Sequence, residues 1–196
     1  MNNFFTYITL SILFCSCMGK HGSNAQKVKI TDAERQTVNQ LGDTVQIDLE
    51  KSKVHWKGTK MRGATKHEGE VELKSGYFIS NRGELMGGSF IVDMLTIGVT
   101  DIPKSDSIPI RNINEHLKSA DFFEVEKFPV SEFHITRVRP VAGDSLAISG
   151  NLVIKNSTKH IVFGARYSDH LFSSTFTIDR FNWNIGDYGS WVEKKF

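Results

Sequence analysis

From Thr44 onward, apolar and polar positions alternate with a period of two, the mark of strands with one buried face. Val45, Ile47 and Leu49 alternate with polar partners, and Val54, Trp56, Gly58 and Lys60 share a face. His67, Gly69, Val71 and Leu73 do the same, with Glu68, Glu70 and Glu72 opposite. Further strands are predicted over 77–80, 84–94, 130–138, 146–155, 160–168, 171–179 and 182–188. Turn signals separate them at Lys74-Ser75-Gly76, Asn81-Arg82-Gly83, Gly143-Asp144 and Lys155-Asn156-Ser157. The clearest alternation sets Phe172, Ser174, Phe176 and Ile178 against Ser173, Thr175, Thr177 and Asp179. About eight or more short strands with one apolar face each predict an all-β sandwich or closed barrel.

One stretch, residues 112–133, breaks the rhythm. Asn112 with Glu115 three places on has the form of a capping box, and Ile113 and Leu117 share one helical face. Phe122 and Phe123 follow, and Pro129 halts regular structure before the next strand. A short helix ending in bulky rings is either a lid against an apolar interior or an ordinary crossover packed on the core.

The apolar run at residues 4–14 has signal-peptide length and is too short to span a bilayer. Cys15, Ser16 and Cys17 follow at once. This resembles a bacterial lipoprotein signal, with residues 1–17 ending at Cys17 as the acylated residue, although no Lys or Arg precedes the run. Without acylation the protein would be secreted. Residues 18–43 read as a tether, with Thr31 or Asp32 capping a short helix, and residues 44–196 as the folded domain.

A chain of 196 residues fits one large domain. The net charge is only +2, and Lys and Arg are scattered, which argues against a nucleic-acid surface. Both cysteines fall in the leader, so the domain has neither a disulfide nor a thiolate for metal or catalysis. The histidines show no HxH or HExxH spacing, and GxSxG, P-loop and GxGxxG patterns are absent. His67 and His116 can each be an acid, a base or a structural residue. No catalytic residue, metal site or cofactor is therefore expected. A binding site is easier to argue. An eight-stranded barrel has room for side chains or one small apolar ligand, and Gly58, Gly69, Gly88 and Gly150 offer space. A hydrocarbon gains about 0.8 kcal/mol per buried CH₂. A filled core is the competing reading.

Several motifs together resemble the YceI-like family. They are Trp56-x-Gly58, Gly63, His67-x-Gly69 and Gly76, then Phe90-x-Val92-Asp93-Met94 and the block from His116 to Phe123, followed by Lys127-Phe128-Pro129. Gly150-x-Leu152-x-Ile154, Thr158-Lys159, Asp179-Arg180 and Trp183 complete the order, covering about residues 45 to 191. The resemblance implies a lipocalin-like antiparallel barrel with a short helix, binding a polyisoprenoid or isoprenoid quinone inside. The setting it implies is the bacterial periplasm or outer envelope, with the lipid as ligand. By position, the implied lining is Trp56, Phe78, Phe90, Met94, Phe122, Phe123, Phe133, Phe163 and Phe176. Lys60, Arg62, Lys66 and His67 are candidates for a polar head group. The chain stops at Phe196, short of the strand that usually closes such a barrel. A bare strand edge and association with a second copy are therefore expected. An enzyme or redox accessory acting on an isoprenoid, and an envelope interaction domain with a filled core, remain the alternatives.

Overall fold

The computed structural model describes residues 7–15, 25–34, 42–59 and 66–186. Among them the fold is all-β with one short helix, in one mixed sheet. The strands are β1 (Tyr7–Cys15), β2 (Gln26–Lys27), β3 (Lys29–Asp32), β4 (Asp43–Gln46), β5 (Lys53–Thr59), β6 (Lys66–Asn81) and β7 (Glu84–Val99). Helix α1 (Ser107–Lys118) precedes β8 (Val130–Ala142), β9 (Ser145–Ile154), β10 (Ser157–Ser168) and β11 (Leu171–Ile178).

From β5 to β11 each strand pairs antiparallel with the next. β1 lies between β11 and β5, parallel to both, so the edge expected to be bare carries a partner. β4 extends the wall along the far part of β6, opposite 77–80. The core lies on the inward positions of this run: Val54 and Trp56, Phe78, Phe90 and Met94, Phe133, Ile148, Phe163, Phe176 and Ile178.

Three expectations are corrected by local physics. Lys74-Ser75-Gly76 is no turn but part of the single 16-residue strand β6. A register shift against β7 between Leu73 and Ser75 moves the buried face from Leu73 to Gly76 and Phe78, as a β-bulge does. The helix begins at Ser107, not Asn112. Pro109 suits the first helical turn, where its missing N–H is no loss, and Ile110, Ile113 and Leu117 then face the core together. Asn112 is therefore mid-helix. The strand expected at 182–188 is instead a 3-10 turn, Arg180–Trp183, started by Asp179 accepting from the Phe181 N–H. Residues 187 and 188 lie outside the described set. Trp183 is fully buried there and donates its indole N–H to the Leu152 carbonyl at 3.0 Å, giving the ring's polar corner a partner.

The tether expectation changes in part: within residues 18–43, 26–27 and 29–32 are strands of the sheet, and residues 7–15 of the leader also pair with it. Thr31 and Asp32 therefore belong to β3 and cap no helix.

Gly150 illustrates how tightly the wall is cut. A Cβ there would sit 2.5 Å from Cζ of Phe133 and 2.6 Å from the His134 carbonyl. Gly164, on the outer face, would meet only Oε1 of Gln26 at 3.5 Å. Gly150→Ala should cost about 1–3 kcal/mol by overpacking, while Gly164→Ala should stay within about 0.5 kcal/mol. Thermal melts of both variants check this, and equal midpoints would refute it.

Candidate functional site

Alternation aims about one residue in two of β5 to β11 at the interior, and most of the rings among these are phenylalanines. Phe78 of β6 packs against Phe90 (4.9 Å between centroids), Phe172 (5.1 Å) and Tyr167 (6.4 Å). Phe163 of β10 bridges Phe133 (5.5 Å) and Phe176, with which it stacks at 4.4 Å. Of the rings and Met predicted to line a pocket, all but Phe122 are buried. Trp56 joins them with its indole N–H on the Glu70 carbonyl at 3.3 Å. Phe172 and Tyr167 were missed. Phe172 stood in the clearest alternation of the chain, and that signal was sufficient to find it.

Three of the four glycines expected to leave space for a ligand do not; Gly58 is the exception, where a Cβ would meet only Cζ3 of Trp56 at 3.8 Å and the His67 carbonyl at 4.0 Å. Gly150 clears room for the Phe133 ring, Gly88 for Phe78, and Gly69 for the Trp56 ring and the Gly98 carbonyl. Their missing side chains let rings lie flat against the wall. The polar content of the interior is small. Among the described residues the buried polar side chains are Ser52, Ser131, Thr136, His160, Ser174 and Thr177, with no Asp, Glu, Lys or Arg. An interior without ionised groups suits apolar matter and penalises a charge.

One end of the barrel carries the helix and the loop 119–128. Loop amides return to the last turn of α1: Phe123 N–H to Leu117 O (3.1 Å), Glu124 to Ser119 (2.8 Å) and Val125 to Lys118 (3.1 Å). Glu124 adopts φ 51°, the left-handed region, so this turn is held by its contacts rather than by preference. Lys155, only 12% exposed, donates to the Phe122 carbonyl at 3.3 Å and pairs with Glu124 at 3.6 Å. Phe122 is half-buried beside Phe123 (4.9 Å) and His116 (5.5 Å), beneath the Arg180 guanidinium at 5.3 Å. Phe123 is thus buried in the core and Phe122 packs against it, the place of a lid and equally of an ordinary crossover packed on the core.

The head-group candidates are less settled. Lys60 and Arg62 lie outside the described residues, as do the Lys66 side chain and Cys17. His67 faces Asp101 at 3.4 Å, which ties the start of β6 to the segment leading into α1.

Groups with catalytic character occur elsewhere. On the outer face Ser89 Oγ lies 3.0 Å from Nδ1 of His134, whose Nε2 is 2.8 Å from Glu132. Ser89 sits mid-strand directly opposite His134, with β6 and β8 on either side. Backbone amides there are engaged in the ladder, so no free N–H pair stands ready for an oxyanion. The trio is a cross-strand polar contact. Among the described residues no cluster of three or more His, Cys, Asp or Glu could hold a metal. A hollow of about 490 Å³ borders α1 at Ile110, Arg111 and Asn114. Another, of about 670 Å³, lies over Ala147, Gly164 and Ser173, and of the candidate rings only Phe163 borders either.

Comparison with known proteins gives the following. The family model described as the YceI-like domain matches residues 45–196. A UPF0312 protein of Azotobacter vinelandii is 39% identical over 54 residues, which is 28% of this chain and 28% of that protein. Protein YceI of Salmonella arizonae is 42% identical over 53 residues, 27% of each chain. These alignments span little more than a quarter of the curated relatives' length. The crystal structure of Burkholderia cenocepacia BcnA superposes with a TM-score of 0.55 at 19% identity, covering 75% of this chain and 89% of that one. At that identity the likeness speaks for the fold alone, and the lipocalin-like barrel expected from sequence is the fold of this group.

Lys155 is the residue on which the lid arrangement turns. Lys155→Met keeps the stem but removes the carbonyl contact and the pair with Glu124, at a cost of about 1–2 kcal/mol. Hydrogen exchange should quicken selectively at amides of 119–128, with β8 and β9 unaffected. Uniform protection would show that the lid does not depend on Lys155.

Proposed function

Because this chain belongs to the YceI-like family, we propose that it binds a long apolar lipid, of polyisoprenoid or isoprenoid-quinone type, inside the barrel. Its role would be that of a carrier or sequestering protein of the bacterial envelope. The observation that carries this reading is the interior itself, lined by rings from β6 to β11, free of ionised groups and capped by the Phe122–Phe123 loop.

The energetics favour a long ligand over a short one. Rings in this arrangement touch one another, so a threaded chain displaces Phe78–Phe90, Phe133–Phe163 and Phe163–Phe176 contacts. Each such pair is worth about 0.5–1.5 kcal/mol beyond its buried area. A hydrocarbon returns about 0.8 kcal/mol per CH₂, so chains longer than roughly six carbons come out ahead. For a polar head, Lys60, Arg62, Lys66 and His67 are our candidates. The close ring contacts favour one second reading, an envelope interaction domain with a filled core.

We further propose cleavage before Cys17, its acylation and attachment to the envelope membrane; the mature protein then lacks β1, and the edges of β5 and β11 lose the partner they have in the full chain.

Native mass spectrometry of protein purified from bacterial envelope, with organic extraction, tests the binding reading. A defined extra mass matching an isoprenoid is expected. Added isoprenoid alcohols should bind only above a length threshold, weakly at about five carbons and tightly by about twenty. Protein at its bare mass that takes up none of them would establish the filled core instead.

A further inference from the structure

β10 and β11 pair directly only over 165–168 against 171–174. Beyond that stretch they part, and the segment 25–34 enters between them. Its first half, Gln26 and Lys27, pairs in parallel with Phe176 and Thr177 of β11, and the Val28 N–H donates to the Thr177 carbonyl at 3.1 Å. Its second half, 29–32, pairs antiparallel with 159–162 of β10. The direct pairing could otherwise have run on in register. Ala165 opposes Ser174, so three further steps would place Val162 opposite Thr177, whereas Val162 opposes Lys29 and Thr177 opposes Lys27. The segment occupies the place of that pairing.

A strand inserted in a barrel wall adds about 4.8 Å of circumference, and barrel diameter grows with strand number. The insertion lies toward the ends of β10 and β11 that lead to Ser157 and Asp179, the end carrying Lys155 and Arg180 and hence the lid. Its apolar residues face inward. Val28 is buried in the core cluster, and Ile30, opposite the fully buried Ile161, packs against it. Beside them the Phe163–Phe176 stack joins the two parted strands. The outward side is polar and tied down. The Asn151 amide exchanges two hydrogen bonds with the backbone of Glu34, at 3.0 and 2.7 Å, while His160 Nδ1 lies 3.3 Å from Thr31 Oγ1 and its Nε2 3.4 Å from Glu34. The segment also lies outside the region matched by the family model, which begins at residue 45. The wall strand thus comes from outside the matched region.

We propose that residues 25–34 are a constituent wall strand of the lipid chamber, and that Val28 and Ile30 set the bulk of the chain it admits. This inference rests on the binding reading above. With the insertion, the lid end takes a methyl-branched isoprenoid. Without it, β10 and β11 zip together and the mouth narrows to an unbranched acyl chain.

Two probes of similar length separate these cases, geranylgeraniol (branched) and stearyl alcohol (linear), each titrated against the full chain and against two variants. Deletion of 25–34 removes the wall strand. Val28→Phe keeps the backbone pairing but adds bulk inside, so it serves should the deletion fail to fold. Both variants are expected to weaken geranylgeraniol at least about tenfold, as loss of an apolar fit does, and stearyl alcohol less than about threefold. Equal losses for both probes, or no change with either, would overturn the wall-strand role while leaving lipid binding intact. Failure of the unaltered chain to bind either probe overturns this inference and the binding reading together.

Discussion

Every backbone N–H and C=O along a barrel wall needs a partner, and that requirement decides where each part of this chain goes. The antiparallel succession from β5 to β11 meets it internally and leaves two edges, those of β5 and β11. β1 meets both edges at once, with Ile12 opposite Trp56 on one side and Phe176 on the other. It does so in parallel, the slightly weaker pairing, where the alternation of the neighbouring strands would call for an antiparallel one. Where β10 and β11 part, the edges again find a partner, in residues 26–32. The N-terminal segments are therefore placed by the unpaired edges of the wall rather than by their own preferences.

Inside the wall the governing quantity is ring volume. The phenylalanines are too large to be accommodated by alternation alone, and the wall yields at glycines. Gly150 lies under Phe133, Gly76 beneath Phe90 and Ile47, and Gly88 against Phe78. Each glycine weakens its strand in isolation, yet the ring that settles on it restores the contact. This coupling also leaves the interior without a rigid slot, because the rings touch one another.

The strands that dominate the fold were legible because period-two alternation is a strong local signal, as at Phe172 to Ile178. The helix was legible as an element but not at its start. Asn112 and Glu115 mimic a cap, whereas the turn is set by Pro109 and by Ile110, Ile113 and Leu117 meeting the core, a tertiary fact. The bulge at 74–75 looked like a turn because a phase change in alternation and a loop leave the same trace in sequence. Of the candidate site, the buried rings were legible from their strand positions. The role of Lys155 was not, since nothing near residue 155 announces a partner at Phe122 and Glu124, some thirty positions earlier.

The segment 25–34 escaped the sequence reading for a different reason. Its composition is largely polar, and Val28 and Ile30 are its only large apolar residues, beside Ala25 and Ala33, a pattern that fits a solvated linker equally well. A strand that completes a seam needs little hydrophobicity of its own, because the parted edges of β10 and β11 supply the backbone partners and the core supplies the apolar surface. The same economy lets such a strand enter the wall without shifting the register of its neighbours. The registers of β9 on β10 and of β10 on β11 stay regular while the wall beside them widens. A barrel of this kind can therefore be altered at one seam, and the seam lies against the stacked Phe163 and Phe176, so a change in the wall is felt at once by these core rings.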